Sequence, residues 1–164
     1  MSTVQDQDYI KVLIADDDEA VLECYRQAFG NDDQTNQMRT LDDLAAELFD
    51  VETDADEQPK FDIVACTQGA DAIKAAAAAR KSGRPFDVVI LDVRMPPGID
   101  GVEAGSQIRD DDPNIEIVFV TGYSDIPLAE LQRRVPPPTR LHYFNKPLSF
   151  IKLAEDVATM VRAS

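Results

Sequence analysis

Two kinds of apolar spacing alternate along this chain. Short apolar runs bounded by polar or turn residues are typical of buried strands, whereas apolar residues three or four positions apart are typical of amphipathic helices. The first kind predicts strands at 10–15, 61–66, 86–91, 115–120 and 141–145. The second predicts helices at 19–29, 70–81, 102–109, 128–135 and 149–162. Because strand and helix alternate strictly, we expect an α/β fold with one parallel sheet and helices on both faces.

One segment, 31–60, interrupts this alternation where a short connection is expected. It contains ten acidic and two basic residues, so it holds more than half of the excess negative charge of the chain. We predict a short amphipathic helix here, capped by Thr40, with the apolar residues Leu41, Leu44, Ala45, Leu48 and Phe49 on one side. A mobile acidic loop, a helix that docks a partner and a helix packed on its own domain all remain open.

The composition fits a single domain of 164 residues with a net charge of −15. Such a charge argues against direct binding to nucleic acid or to an anionic membrane surface. No apolar stretch is long enough for a membrane span, and the first residues do not resemble a secretion signal, so we expect a cytoplasmic protein. Cys24 and Cys66 are expected to be small buried residues in a reducing compartment.

Three of the predicted strands lead into charged residues at their carboxyl ends. These residues are the pair Asp16 and Asp17, then Asp92, and then Lys146. If the strands are parallel neighbours, their ends meet in one crevice, where open α/β sheets bind their ligands. Clustered carboxylates raise one another's pKa or require a cation, and Mg²⁺ prefers carboxylate, water and phosphate oxygens. The sequence therefore points to phosphoryl chemistry at this edge.

Four motifs in this order resemble those of the receiver domains of two-component response regulators. They are the acidic pair, Asp92 in Val-Ile-Leu-Asp-Val-Arg-Met-Pro, Thr121 in Phe-Val-Thr-Gly, and Lys146-Pro147. The resemblance implies a flavodoxin-like fold with strand order 2-1-3-4-5, over a domain of 8–164 that contains the acidic insertion. It also implies a signalling domain, not a turnover enzyme, that takes a phosphoryl group from a histidine kinase or a phosphotransfer protein.

Carried over residue by residue, the resemblance makes Asp92 the phosphoacceptor. Asp17 is then expected to bind Mg²⁺ directly and Asp16 through a water molecule, while Asp92 and the backbone carbonyl of Arg94 supply further oxygens. Asp18 is expected to cap the first helix instead of joining the site.

The resemblance also gives roles to three residues on the last two strands. Lys146 supplies positive charge during phosphoryl transfer, and its bond to Pro147 is expected to be cis. Thr121 is the switch hydroxyl that turns toward the aspartyl phosphate, and Tyr143 is its aromatic partner. The downstream partner stays unknown, and a homodimer is possible through the face formed by the last two helices and the last strand.

The loop after Asp92 departs from the common receiver pattern. The loop 96–101 is one residue longer than usual, as in receivers of some larger signalling proteins, which also carry insertions like 31–60.

Two other functions remain open. A hydrolase of the haloacid dehalogenase type would use Asp16 as nucleophile and Asp18 as acid, but this function leaves Asp92 unexplained. A receiver-like interaction module that has lost phosphorylation is the other alternative.

Two bulky residues follow the motif positions by two places. Arg94 lies two residues after Asp92, and Tyr123 lies two residues after Thr121. Because both could obstruct an attacking water molecule, we predict a long-lived phosphorylated form.

Overall fold

The computed structural model describes residues 9–30, 60–95, 98–122 and 126–163. Its strands are β1 (Tyr9–Ala15), β2 (Lys60–Cys66), β3 (Val88–Asp92), β4 (Glu116–Thr121) and β5 (Leu141–Asn145). Its helices are α1 (Glu19–Phe29), α2 (Gly69–Lys81), α3 (Gly101–Asp111), α4 (Leu128–Arg134) and α5 (Phe150–Ala163), with a 3₁₀ turn at Pro138–Arg140. The predicted alternation of strand and helix is therefore confirmed over these ranges.

The five strands form one parallel sheet in the order β2-β1-β3-β4-β5, which is the flavodoxin-like order. The first strand lies between β2 and β3, so the chain moves to one side of β1 and then to the other. In the register of β1 and β3, Ala15 lies opposite Leu91. The next residues along the chain are Asp16, directly after β1, and Asp92, the last residue of β3, so the two are brought side by side.

Strand alternation divides the core into two layers, because successive side chains point to opposite faces of the sheet. One layer packs against α2, α3 and α4, with Leu13, Val89, Leu91, Ile117, Phe119 and Leu131 among its buried residues. The other packs against α1 and α5, with Val12, Ile14, Leu22, Ile90, Val118 and Val157 among its buried residues. Strands β3 and β4 are buried along their whole length.

The end of the sheet opposite Asp16 and Asp92 is held by buried polar residues. The Arg109 guanidinium donates to the carbonyl oxygens of Ile115 and, at 2.8 Å, Arg140. The Glu116 carboxylate is almost fully buried and accepts from Arg140 at 2.7 Å, while His142 Nε2 lies 2.8 Å from it. These contacts tie the 3₁₀ turn to β4, which pairs with β5.

Several sequence expectations need correction. The strand predicted at 86–91 begins at Val88, and Phe86 is buried in the loop before it. Lys60, which was assigned to the insertion, opens β2. Cys24 is exposed and not buried, because it lies on the outer face of α1, while Cys66 is half-buried; both are free thiols. The rest of the insertion, with its predicted helix at Thr40–Phe49, lies outside the described residues.

In the ranges that the structure describes, no helix combines the length and the apolar character needed to cross a membrane.

Gly101, the first residue of α3, lies directly against the backbone of Asp92. Its N–H donates to the Val93 carbonyl at 2.7 Å, and a Cβ atom placed on it would be 2.0 Å from the Asp92 carbonyl oxygen. Only glycine therefore allows α3 to start at this position without moving the end of β3.

We predict that Gly101→Ala lowers the free energy of unfolding by about 1–3 kcal/mol, because the added methyl group must displace backbone atoms. Chemical denaturation measures this change. Gly122→Ala is the matched control, since its Cβ would meet nothing closer than Lys146 Cδ at 3.9 Å. An equal effect of both substitutions would show that the close approach at Gly101 does not limit stability.

Candidate functional site

Three carboxylates meet at the carboxyl end of the sheet. Asp16 and Asp17 follow β1, and Asp92 is the last residue of β3. One carboxylate oxygen from each lies within 4.8 Å of the others. Asp16 and Asp92 are buried, with 1% and 8% of their surface exposed, whereas Asp17 is exposed. The cluster lies between β1 and β3, where the strand order reverses and doubly wound sheets bind their ligands.

The ammonium group of Lys146 completes this cluster. Its Nζ atom is 3.4 Å from Asp16 Oδ2 and 3.5 Å from Asp92 Oδ2. The backbone N–H of Lys146 donates to the Thr121 carbonyl at 2.7 Å, which holds the end of β5 against the end of β4. The peptide bond to Pro147 is cis. The predicted convergence of Asp16, Asp17, Asp92 and Lys146 is therefore confirmed.

Burial and mutual repulsion make the buried carboxyl groups of this site harder to ionise. Burial, followed by the charge of Asp16, raises the pKa of Asp92 to about 6. Burial also raises the pKa of Asp16, although the N–H of Asp18 and the ammonium of Lys146 oppose this. Burial lowers the pKa of Lys146, but the charges of Asp16 and Asp92 outweigh it and raise that pKa above its ordinary value.

The donor set suits a hard divalent cation. Three carboxylates converge from two strands, and one of them, Asp17, is exposed and so leaves room for water ligands. Mg²⁺ in proteins is typically held by one or two carboxylates, several waters and a phosphate oxygen. A single lysine cannot neutralise three carboxylates, so a cation would relieve the repulsion that raises the pKa of Asp92.

The remaining predicted site residues lie around this cluster. Thr121 is buried at the end of β4, and Tyr143 is half-buried on β5. Both side chains lie on the face of the sheet that carries α3 and α4, since they alternate in step with Phe119 and Leu141. Arg94 is exposed, and its backbone N–H donates to the Asp92 carboxylate. Tyr123 lies outside the described residues.

Asp18 acts as a helix cap, as the sequence predicted. Its carboxylate accepts from the N–H of Ala20 at 2.9 Å, and its own N–H donates to Asp16 Oδ1 at 2.9 Å. The side chain is therefore engaged with α1, while its backbone orients one ligand of the cluster. This leaves little support for the role of acid that a dehalogenase-type hydrolase would give it.

Two neighbours of the site were missed in the sequence. Tyr25 of α1 is 2% exposed, and its ring packs edge-on against Phe150 at 4.9 Å. Burial, followed by the charges of Asp16 and Asp92, raises the pKa of Tyr25 above its ordinary value. Gln68, before α2, contacts the loop that follows β3. Tyr25 is part of an apolar helical stripe and Gln68 is a lone polar residue, so neither pattern pointed to the site.

A sequence model of the response regulator receiver domain matches residues 51–157. The chain therefore belongs to the response regulator receiver domain family. Residues of the acidic cluster and the fold described above are consistent with this family, whose members act as signalling domains in two-component systems.

Curated relatives and solved structures agree with this assignment. The chain is 30% identical over 94 residues to the sensor kinase CckA of Brucella abortus, and 27% identical over 90 residues to the response regulator receiver protein CpdR of the same species. The first match covers 57% of this chain and 10% of CckA, and the second covers 55% of this chain and 72% of CpdR.

Two solved structures show the same fold. A response regulator receiver protein from Sinorhizobium medicae has a TM-score of 0.63 at 23% identity, over 96% of this chain and 98% of that one. The response regulator TrrA of Thermotoga maritima, solved in complex with Mg(2+)-BeF, has a TM-score of 0.55 at 22% identity, over 92% and 98% of the chains.

We predict that Asp92→Asn stabilises the metal-free protein at pH 7.5 by about 2 kcal/mol. The folded-state pKa of Asp92, about 6, lies above its ordinary value of 3.8, so ionisation costs stability above pH 6. As the pH falls from 6 toward 3.8, the Asp92 carboxyl takes up its proton in the folded protein before it does so in the unfolded chain. The free-energy cost of ionising Asp92 in the folded protein therefore disappears over this range. The gain from Asp92→Asn should therefore shrink toward pH 4.

Urea denaturation in the presence of EDTA, at pH 7.5 and pH 4.5, measures this gain. Asp110→Asn on the exposed face of α3 is the control and should change little at either pH. A gain that is the same at both pH values would contradict the assignment of the cost to ionised Asp92.

Proposed function

We propose that this domain accepts a phosphoryl group from the phosphohistidine of a histidine kinase or phosphotransfer protein, and that Asp92 is the acceptor. The observation that carries this proposal is the position of the Lys146 ammonium, within 3.5 Å of both Asp92 and Asp16 at the switch point of the sheet. Phosphoryl transfer needs alignment and charge neutralisation more than covalent help, and this arrangement offers both.

In the proposed step, one carboxylate oxygen of Asp92 attacks the phosphorus atom. A P–O bond forms to Asp92 while the P–N bond to the imidazole breaks, and the imidazole leaves with the electron pair and takes a proton from solvent. The carboxylate must be ionised to attack, and with a pKa of about 6 it is ionised at neutral pH. The Lys146 ammonium stabilises the negative charge on the phosphoryl oxygens.

The acidic cluster would hold Mg²⁺ through Asp17 and Asp92, through a water molecule on Asp16, and through the backbone carbonyl of Arg94. When bound, the cation supplies positive charge next to the phosphoryl oxygens. The Arg94 N–H, which already donates to the Asp92 carboxylate, keeps that side chain oriented.

The switch in this proposal uses Thr121 and Tyr143. Once Asp92 carries a phosphoryl group, the Thr121 hydroxyl turns toward it and donates a hydrogen bond. The space that the hydroxyl vacates lies on the face shared with Tyr143, so the ring of Tyr143 can turn inward. The surface around β5 would then change, and a downstream partner or a second copy of the chain would recognise the change.

The domain bounds, the location and the signalling role that we propose are those expected for a receiver domain. We assign the domain to 8–164, with the acidic insertion inside it, in a cytoplasmic protein that neither binds nucleic acid directly nor attaches to a membrane. Its role is signalling, and it assists only its own phosphorylation and dephosphorylation.

We predict that the protein gains the mass of one phosphoryl group when it is incubated with acetyl phosphate and Mg²⁺. Intact-mass spectrometry measures the adduct. Asp92→Asn should abolish it, whereas Asp110→Asn, exposed in the last turn of α3, should retain it. The reaction should also require Mg²⁺, so EDTA should prevent the mass change.

The outcomes separate the three functions considered. An unmodified protein, or an adduct that survives Asp92→Asn, would support an interaction module that has lost phosphorylation. Turnover of a phosphate monoester that Asp16→Asn abolishes and Asp92→Asn spares would support a hydrolase.

We predict that the phosphorylated form decays slowly, because the side chains at positions 94 and 123, Arg94 and Tyr123, are bulky enough to obstruct an attacking water molecule. Replacing both, as Arg94→Asn with Tyr123→Glu, should accelerate decay by about tenfold or more, a factor that corresponds to about 1.4 kcal/mol. The decay is followed by intact mass after the phosphodonor is removed. An unchanged rate, or loss of the adduct within seconds in the unmodified protein, would contradict this prediction.

A further inference from the structure

The loop between β3 and α3 carries the backbone that surrounds the phosphoacceptor. It starts directly after Asp92 and includes Arg94, whose carbonyl is assigned to the metal in the proposed function. Two of its parts are held by packing: Met95 is 1% exposed, and Ile99 packs against the core layer under α2 and α3. The exposed residue Gly98 lies between them and gains little from burial.

Gln68 supplies a polar contact at that exposed point. Its side-chain oxygen Oε1 accepts a hydrogen bond from the Gly98 N–H at 3.2 Å. A Cβ atom on Gly98 would be 2.5 Å from this oxygen, so the Gln68 amide lies directly against the Gly98 backbone. A side chain at position 98 would therefore have to displace the Gln68 amide from this place.

Gln68 lies at a position where a side chain usually caps its own helix. Gln68 is the N-cap residue of α2, where a side chain commonly accepts from the first turn of its own helix. Its side chain makes no such hydrogen bond. It crosses instead to a loop that lies 30 residues away in the chain. The amide thus connects the start of α2 to the loop that follows Asp92.

We propose that Gln68 is a positioning residue for the metal and phosphoacceptor site. By holding Gly98, it restrains the loop that carries the Arg94 carbonyl next to Asp92. This inference rests on the proposed function for the role of the Arg94 carbonyl. In this proposal Gln68 acts through the loop backbone, by its contact with Gly98.

The test compares two substitutions of Gln68 in the full chain. Gln68→Met keeps the length of the side chain but removes the acceptor, whereas Gln68→Glu keeps an acceptor oxygen. Gln107→Met is the matched control, since Gln107 is an exposed glutamine whose amide bonds only along α3, to Glu103. Amide exchange of Gly98 by NMR in EDTA reports the anchor, and calorimetric titration with Mg²⁺ reports the metal site.

With Gln68→Met, we expect faster exchange at Gly98 and Mg²⁺ affinity lowered by about fivefold, as for the loss of one ordinary hydrogen bond. Gln68→Glu should keep Gly98 protected and bind Mg²⁺ at least as tightly as the unmodified protein. Gln107→Met should change neither. Urea denaturation confirms that each variant is folded, and if Gln68→Met is not, Gln68→Ala replaces it.

The proposal is overturned if Gly98 exchanges equally fast in all proteins, or if its exchange accelerates while Mg²⁺ affinity stays constant. It is also overturned if Gln68→Glu loses as much affinity as Gln68→Met. Failure of the proposed function looks different, because the unmodified protein would then take up no phosphoryl group. In that case Gly98 exchange and Mg²⁺ affinity still decide whether Gln68 positions the loop.

Discussion

The contact of one ammonium with two buried carboxylates is the interaction on which the site depends. Lys146 lies between Asp16 and Asp92 and reduces their repulsion, yet it does not remove it, because the pKa of Asp92 still rises to about 6. The remaining excess of negative charge favours a cation. In the proposed function, the same ammonium is available to the oxygens of an incoming phosphoryl group.

Such a cluster is costly to bury, so the rest of the fold has to hold it in place. The strands that deliver Asp92 and Thr121 are buried along their whole length, and both sheet faces are covered by helices. Beyond β3, Gly101 lies close to the backbone of Asp92, and Gly98 donates a hydrogen bond to Gln68. The polar contacts at the opposite end of the sheet hold β4 and β5 together. Rigid packing of this kind keeps like charges close that would otherwise move apart.

Much of this arrangement could be predicted because its signals are local. Apolar periodicity located every strand and helix of the described ranges, and the motifs at Asp92, Thr121 and Lys146 located the site. Boundaries were less certain: Phe86 is apolar and buried but precedes its strand, since burial and strand pairing are separate requirements. Cys24 was placed in the core by residue type, although its position on α1 faces outward. The buried role of Arg109 gave no signal, because a charged residue near a helix end usually faces solvent.

The sequence by itself indicated which charged side chains meet at the carboxyl edge of the sheet, since charged residues at the ends of apolar runs are readable without coordinates. The alternation of elements indicated a parallel sheet, and the resemblance to the receiver family implied its strand order. Only the tertiary structure decided the distances, because they follow from strand register and helix packing between residues far apart in the chain. Whether Lys146 reaches Asp16, whether Asp92 is buried enough to raise its pKa, and which side chain holds Gly98 are consequences of that packing.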